Sequence, residues 1–239
     1  MQQPSSSPPP AVLHAARLVK RYGETIALDD VQLTVRRGES VAIMGASGSG
    51  KTTLLHVLAG IILPDAGDVR FAGRSGTVTV PELSDADRSR LRREEFGFVF
   101  QQGFLLPELT AAENVALPLL MNGEKKDAAG DRARAWLAAL GLAGMADRRP
   151  GQLSGGQAQR VAIARAQATG ASVTFADEPT GALDSITSEE VMTALLHSTT
   201  GQGRALVVVT HDEAVAARCA RVVRMRDGRV HADSAAGTR

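Results

Sequence analysis

Residues 45–52 read Gly45-Ala46-Ser47-Gly48-Ser49-Gly50-Lys51-Thr52 and fit G-x-x-x-x-G-K-[ST] without a mismatch. Glycines let a backbone curl until successive N–H groups point inward at an anion. A lysine at the end of such a loop is a point charge for the outer phosphates of a nucleotide. The hydroxyl after it is a hard oxygen donor for Mg²⁺. The flanks agree. Ser40–Met44 is a short apolar run of the buried-strand kind, and Lys51–Ala59 has helical character and stops at Gly60. A helix starting at Lys51 adds its N-terminal partial positive charge to the same anion. The bland alternative, a glycine-rich turn that holds nothing, does not explain the full pattern in this strand-to-helix setting.

Phosphate chemistry also needs an acid for the metal and a group to activate water. Val173-Thr-Phe-Ala176 is a mostly apolar strand ending in Asp177-Glu178. In open α/β sheets ligands bind beyond the C-terminal strand ends, so these carboxylates stand in the right place. Asp177 suits a Mg²⁺ partner, and Glu178, pointing differently, suits a general base. An isolated Asp-Glu pair is usually a solvated loop; behind a buried strand in this chain the catalytic reading is preferred. His211 closes the run Leu206–Thr210 at the same kind of strand end, which favours contact with a terminal phosphate over a purely structural role. No His/Cys cluster offers a zinc site, leaving Mg²⁺ as the metal.

The elements that must position these residues are legible in outline. The chain has 239 residues, 44% hydrophobic and 22% charged, enough for one medium domain with a real core. Lys plus Arg number 27 against 26 Asp plus Glu, which argues against bulk nucleic-acid binding. One cysteine, Cys219, allows no internal disulfide, fits a reducing compartment and reads as a small buried thiol. No apolar run reaches transmembrane length, and the start lacks a signal-peptide pattern, so a cytoplasmic location is expected. Residues 1–10 are Pro/Ser-rich and read as a disordered tail; residues 233–239 read as a flexible end. Val31–Val35 alternates as a half-buried strand. Residues 84–95, 108–120, 125–140, 155–168 and 186–197 read as helices, and 172–176 and 205–209 as strands. Strands spaced by helices imply an α/β fold with a parallel sheet covered on both faces.

Leu153-Ser154-Gly155-Gly156-Gln157 narrows the reading to one family, because the run 152–165 resembles the signature segment of ABC ATPases. The resemblance covers about residues 12–231. It implies a P-loop (RecA-like) core sheet with an inserted α-helical subdomain, about 102–160, inside a domain spanning 11–232. It makes Tyr22 the aromatic that stacks on adenine, and the loop 45–52 with Thr53 the phosphate cradle. Gln101 becomes a nucleotide and metal contact beside Thr52 and Asp177. Glu178 and His211 are then catalytic, and Gly181-Ala-Leu-Asp184 is the segment holding the D-loop aspartate, Asp184. Ser154 and the amides of Gly155 and Gly156, with Gln157, precede a helix and make a second anion-binding end. In the family two chains pair head to tail, each ATP lying between the P-loop of one and the signature of the other. ATP and Mg²⁺ are the implied ligands.

Residues 97–118 are similar to the lipoprotein-release and macrolide-export subgroup. That likeness implies a peripheral homodimer on the cytoplasmic face of the membrane, energising integral permease subunits, with Phe104–Leu106 in the coupling groove or in ordinary helical packing. Two uses stay open: export of lipoprotein, macrolide or peptide-like cargo, or ATP-driven control of an extracytoplasmic hydrolase without transport. A DNA-repair or translation ATPase fits poorly, since the long coiled coil, zinc site or second nucleotide domain of those groups is missing. Thr174, Gln167 and Ala158 depart from the usual pattern, and a loosened core near the Asp177 strand is expected from them.

Overall fold

The computed structural model describes residues 9–237. A hairpin of β1 (Ala11–Tyr22) and β2 (Thr25–Arg36) is followed by β3 (Ser40–Met44) and α1 (Lys51–Leu58). Next come β4 (Ala66–Gly73), β5 (Gly76–Thr79), α2 (Asp85–Glu95) and β6 (Phe96–Phe100). Three helices follow, α3 (Ala111–Met121), α4 (Lys126–Ala139) and α5 (Gly155–Ala168). The chain then returns to alternation with β7 (Val173–Asp177), α6 (Ser185–Ser198), β8 (Ala205–Thr210) and α7 (Glu213–Ala217). It ends on β9 (Arg221–Arg226) and β10 (Arg229–Asp233).

The larger sheet has six strands in the order β10-β9-β3-β8-β7-β6, parallel except for β10. Its strands read as unbroken apolar runs because both faces are covered. Along β8, Leu206 and Val208 enter a cluster with Val115, Leu137 and Ile163 of the helices. Ala205, Val207 and Val209 enter a second cluster with Leu54 and Leu58 of α1 and Phe71 of β4. The three-helix segment therefore shares one core with a sheet face. Register places Met44 opposite Thr210, and Asp177 opposite Val209, so β3, β7 and β8 end together. Everything that follows β3 and β7 is delivered to that single edge.

The smaller sheet, β2-β1-β4-β5, is antiparallel throughout and adds to the parallel sheet read from the strand and helix alternation; Val31–Val35 lies in its β2. Its alternation is hidden by bulges: the β1–β2 register shifts repeatedly, and Arg17 and Asp30 take positive φ of 51° and 54°. Each bulge moves the buried side by one residue and breaks the period-two signal.

The described parts of both terminal segments are hydrogen-bonded to the domain. Residues 1–8 lie outside the described residues, but Pro9 accepts from Arg36 Nη1 and the Pro10 carbonyl from Arg37 N, 3.0 Å each. At the other end Asp233 closes β10 and pairs with Arg221 at 2.6 Å, and Ser234 Oγ accepts from Val222 N at 3.0 Å. The expected flexible segment is thus tied down over its described part, 233–237.

The expected loosening near β7 is corrected as well. Gln167 and Thr174 are both fully buried and face each other, Gln167 Nε2 donating to Thr174 Oγ1 at 2.8 Å. Arg204 Nη1 donates to Gln167 Oε1 at 3.1 Å. Two polar residues in apolar positions satisfy each other, so no buried group there is orphaned.

Candidate functional site

At the shared strand edge lies a cavity of about 730 Å³, lined by Tyr22, the loop residues Ala46–Gly48 and Gly50–Thr53, Asp177, Glu178 and His211, with Thr25, Ala27 and Val209. Residues up to 189 positions apart in sequence, Tyr22 and His211, meet here. Sequence reasoning missed Thr25 and Ala27; the tight turn after Tyr22 brings β2 back under the same opening. Tyr22 is 49% exposed, with Lys20 Nζ 5.7 Å from its ring centroid.

The loop earns its glycines from packing. Gly50 caps α1 at φ 97°, and a Cβ there would come 2.2 Å from the Ala27 carbonyl oxygen. No other residue tolerates both conditions. Lys51 is buried, and its Nζ donates to the carbonyls of Gly45 and Ala46 at 2.8 Å each, so the loop holds its own cation over its mouth. Ser49 Oγ is buried without a hydrogen-bond partner among the described residues.

Thr52 Oγ1 and Asp177 Oδ1 stand 3.5 Å apart across the cavity floor. Burial holds the Asp177 carboxyl above its ordinary value, opposed by His56 and by the Thr52 hydroxyl and reinforced by neighbouring Glu178. A cation is what would relieve that position. The donor set, one hydroxyl and one carboxylate, is all hard oxygen, and among the described residues no group of three His, Cys, Asp or Glu forms a cage. Few protein ligands and many waters is the preference of Mg²⁺, so these residues fit that ion.

Glu178 directly follows β7 at φ 46°, a left-handed conformation rare for a residue with a Cβ. The turn throws its side chain away from Asp177: Oε1 lies 2.7 Å from His211 Nδ1, and Oε2 accepts from Thr210 Oγ1 at 3.2 Å. In this pairing Nδ1 faces the Glu178 carboxyl, which leaves Nε2 as the free ring nitrogen. Thr210, a partner that sequence reasoning passed over, holds both Glu178 and the Asp212 amide. Its only sequence signal is its place at the end of β8.

The remaining candidates lie elsewhere. Ser154 is exposed and caps α5: its Oγ accepts from Gln157 N at 3.3 Å while Gln157 Oε1 accepts from Ser154 N at 2.9 Å. Asp184 caps α6 in the same way, accepting from Thr187 N and Oγ1, which holds its carboxyl below the ordinary range. A Cβ on Gly156 would meet Thr187 Cγ2 at 2.3 Å, so the two helix starts lie against each other. Neither Ser154–Gln157 nor Asp184 lines the cavity. Gln101 does not line the cavity either; it follows Phe100, which pairs with Asp177 across the sheet, and it is exposed, near enough to Gly181 that a Cβ there would come 3.0 Å from its amide.

The family model for the ABC transporter matches residues 28–181. The chain belongs to that family. Its fold is the ATP-binding cassette, and as such it is an ATPase. A dimeric bacterial ABC transporter cassette, MJ0796, superposes with a TM-score of 0.83 at 40% identity, over 93% of this chain and 97% of that one. The same cassette in a dimeric post-hydrolysis state bound to ADP and Pi gives a TM-score of 0.82 at 39% identity, with the same coverage. Among sequence relatives, a macrolide export ATP-binding/permease protein of Rhodopseudomonas palustris (strain BisB18) is 49% identical, covering 95% of this chain and 34% of its own length. A probable syringafactin export ATP-binding/permease protein of Pseudomonas syringae pv. syringae (strain B728a) is 48% identical over 91% of this chain and 32% of its own. The chain thus spans about a third of the length of these relatives.

Proposed function

We propose that this chain is the ATP-hydrolysing unit of a membrane exporter and works as a head-to-tail homodimer. One observation carries the reading: phosphate loop, Asp177, Glu178 and His211 share one cavity, while the signature turn, a second anion-binding end, lies outside it. A pocket missing its far wall, on a chain with a spare wall, is completed by a second copy.

In this reading the triphosphate lies along the loop amides and the α1 N-terminus, and Lys51 leaves the Gly45 and Ala46 carbonyls for the outer phosphates. Tyr22 receives the base. Thr52 and Asp177 would hold Mg²⁺, which when bound would neutralise charge developing on the phosphates. Glu178 takes a proton from the attacking water, and His211, held through Nδ1, presents Nε2 toward the terminal phosphate. Gln101 joins the metal and nucleotide contacts on the strength of the resemblance. Ser154, Gly155, Gly156 and Gln157 of the second copy close over the nucleotide, with Asp184 beside them. Binding ATP across the interface supplies the differential affinity that drives closure, and hydrolysis removes it.

The membrane partner is inferred from three supports. Relatives are export ATP-binding/permease proteins. Among the described residues no helix is long and apolar enough to cross a membrane. Beside Gln101, Phe104 is 60% and Leu106 43% exposed, while Leu105 packs into the helical core. We therefore place the chain peripherally on the cytoplasmic face, engaging a permease there. Its cargo is of the macrolide, lipoprotein or peptide-like class.

Replacing Glu178 by Gln tests the chemistry. The variant is expected to bind ATP and lose hydrolysis by about 10²-fold or more. Hydrolysis at the normal rate would remove Glu178 as the base. Co-purification with a permease and stimulation of hydrolysis by it would support the exporter; full activity with no response to any permease would count against it.

A further inference from the structure

Helix α5 carries two buried glutamines with different attachments. Gln167 pairs with Thr174 and Arg204, three residues short of Asp177 on the strand. Gln159 is 3% exposed, and its single amide nitrogen donates to the Phe100 carbonyl at 2.9 Å and to the Pro179 carbonyl at 2.7 Å. Phe100 is the last residue of β6 and Pro179 immediately follows Glu178. One side chain therefore spends both its N–H groups on the exits of two neighbouring strands, five residues into the chain from the serine that caps its helix.

The attachment falls where the chain needs holding. Left-handed backbone at Glu178 is strained for a residue with a Cβ, and the surroundings must sustain it. Glu178 N donates to Val209 O at 2.9 Å, and Gly181 N to Glu178 O at 3.1 Å. Pro179 has no N–H to contribute, so its carbonyl is the only polar backbone handle at that position, and Gln159 takes it.

We propose that Gln159 is a positioning residue for hydrolysis, its amide fixing the Pro179 carbonyl and thereby the aim of the Glu178 carboxylate. It ties the aim of that carboxylate to the helix that starts at the signature turn. A shift of α5 is then felt at Glu178 through one side chain. The inference rests on Glu178 being the base.

Gln159→Met keeps the length of the side chain and removes both donors. In the purified chain kcat is expected to fall about tenfold or more with KM for ATP within about twofold, since small displacements of a reacting group are costly. Added to Glu178→Gln, the same change is expected to lower the residual rate by less than about twofold, because it acts through the residue already removed. Gln167→Leu with Thr174→Val removes the other buried amide at matched volume and is expected to leave kcat within about twofold. Where Gln159→Met does not fold, Gln159→Asn, one methylene short of both carbonyls, replaces it with the same expected split. An unchanged kcat, an equal loss in the Gln167/Thr174 variant, or a full tenfold loss persisting in Glu178→Gln would each overturn the positioning role. Glu178→Gln hydrolysing normally would overturn the base assignment and this role together, whereas an inactive Glu178→Gln beside a normal Gln159→Met overturns this role alone.

Discussion

The phosphate loop and the signature turn are both helix N-termini with glycine and hydroxyl residues, yet the fold treats them oppositely. At the loop, the capping position is Gly50, whose absent side chain bonds nothing, and Lys51 stands over the opening with Asp177 and Glu178 at the end of β7 in the same cavity. At the turn, Ser154 and Gln157 satisfy each other in a capping box on an exposed surface, and neither lines the cavity. The first is a site nearly complete in one chain. The second is a stable helix start, which in the proposed reading becomes a site only when a second copy brings a nucleotide to it. The contrast teaches that a shared sequence signal, glycine and hydroxyl before a helix, does not separate a binding site from a cap; the neighbouring strand ends do.

The contrast can be broken most forcefully at the loop. Lys51→Ala removes the charge that the cavity is built to aim, and nucleotide affinity is expected to fall by about 2–3 kcal/mol, roughly 30–150-fold, read by titration with a fluorescent ATP analogue. Unchanged affinity would mean the loop is only a turn. Gly156→Ala acts on the other region through packing alone. Its Cβ would collide with Thr187 Cγ2, an overpacking worth about 1–3 kcal/mol in thermal or urea unfolding. Thr187→Ser keeps the hydroxyl bonded to Asp184 but removes that methyl, so adding it is expected to restore most of the loss. Failure to restore would show that Gly156 is needed for backbone freedom instead.

Ser154→Ala tests whether the turn is a cap within its own chain. Loss of the cap is expected to cost about 1 kcal/mol of stability while leaving nucleotide binding by a single chain unchanged. Reduced binding by the isolated chain would place the turn inside its own cavity. The smallest effect belongs to Cys219, which lines neither region. Burial pushes its thiol up to about 11 from 9.0. Below both values each unit of increase lowers the thiolate fraction tenfold, so alkylation at pH 8 is expected to run about 100-fold slower than in the unfolded chain. Equal rates would show that the α7–β9 corner opens readily.

The sequence carried the parallel core and its edge well. Ser40–Met44 and 155–168 emerge with the bounds read from them, because buried parallel strands are unbroken apolar runs and α5 follows a serine cap. Of the antiparallel sheet only Val31–Val35, part of β2, was legible, since the bulges in β1 erase its alternation. The loop residues, Asp177, Glu178 and His211 could be named from pattern because each directly follows or ends an apolar strand. The Gln159 amide could not: nothing in a helix sequence marks which buried glutamine spans two strand exits. The departures at Gln167 and Thr174 looked like separate defects, seven residues apart, and only the packing of α5 on β7 shows them to be one hydrogen-bonded pair.

The central claim, one nucleotide held by the loop of one copy and the turn of another, is tested most directly by sedimentation of Glu178→Gln with ATP and Mg²⁺. The account predicts a monomer without nucleotide, a dimer with it, and return to monomer when Ser154→Glu is added, with ATP binding per chain retained. A chain that stays monomeric at saturating ATP, or a dimer indifferent to Ser154→Glu, would contradict it.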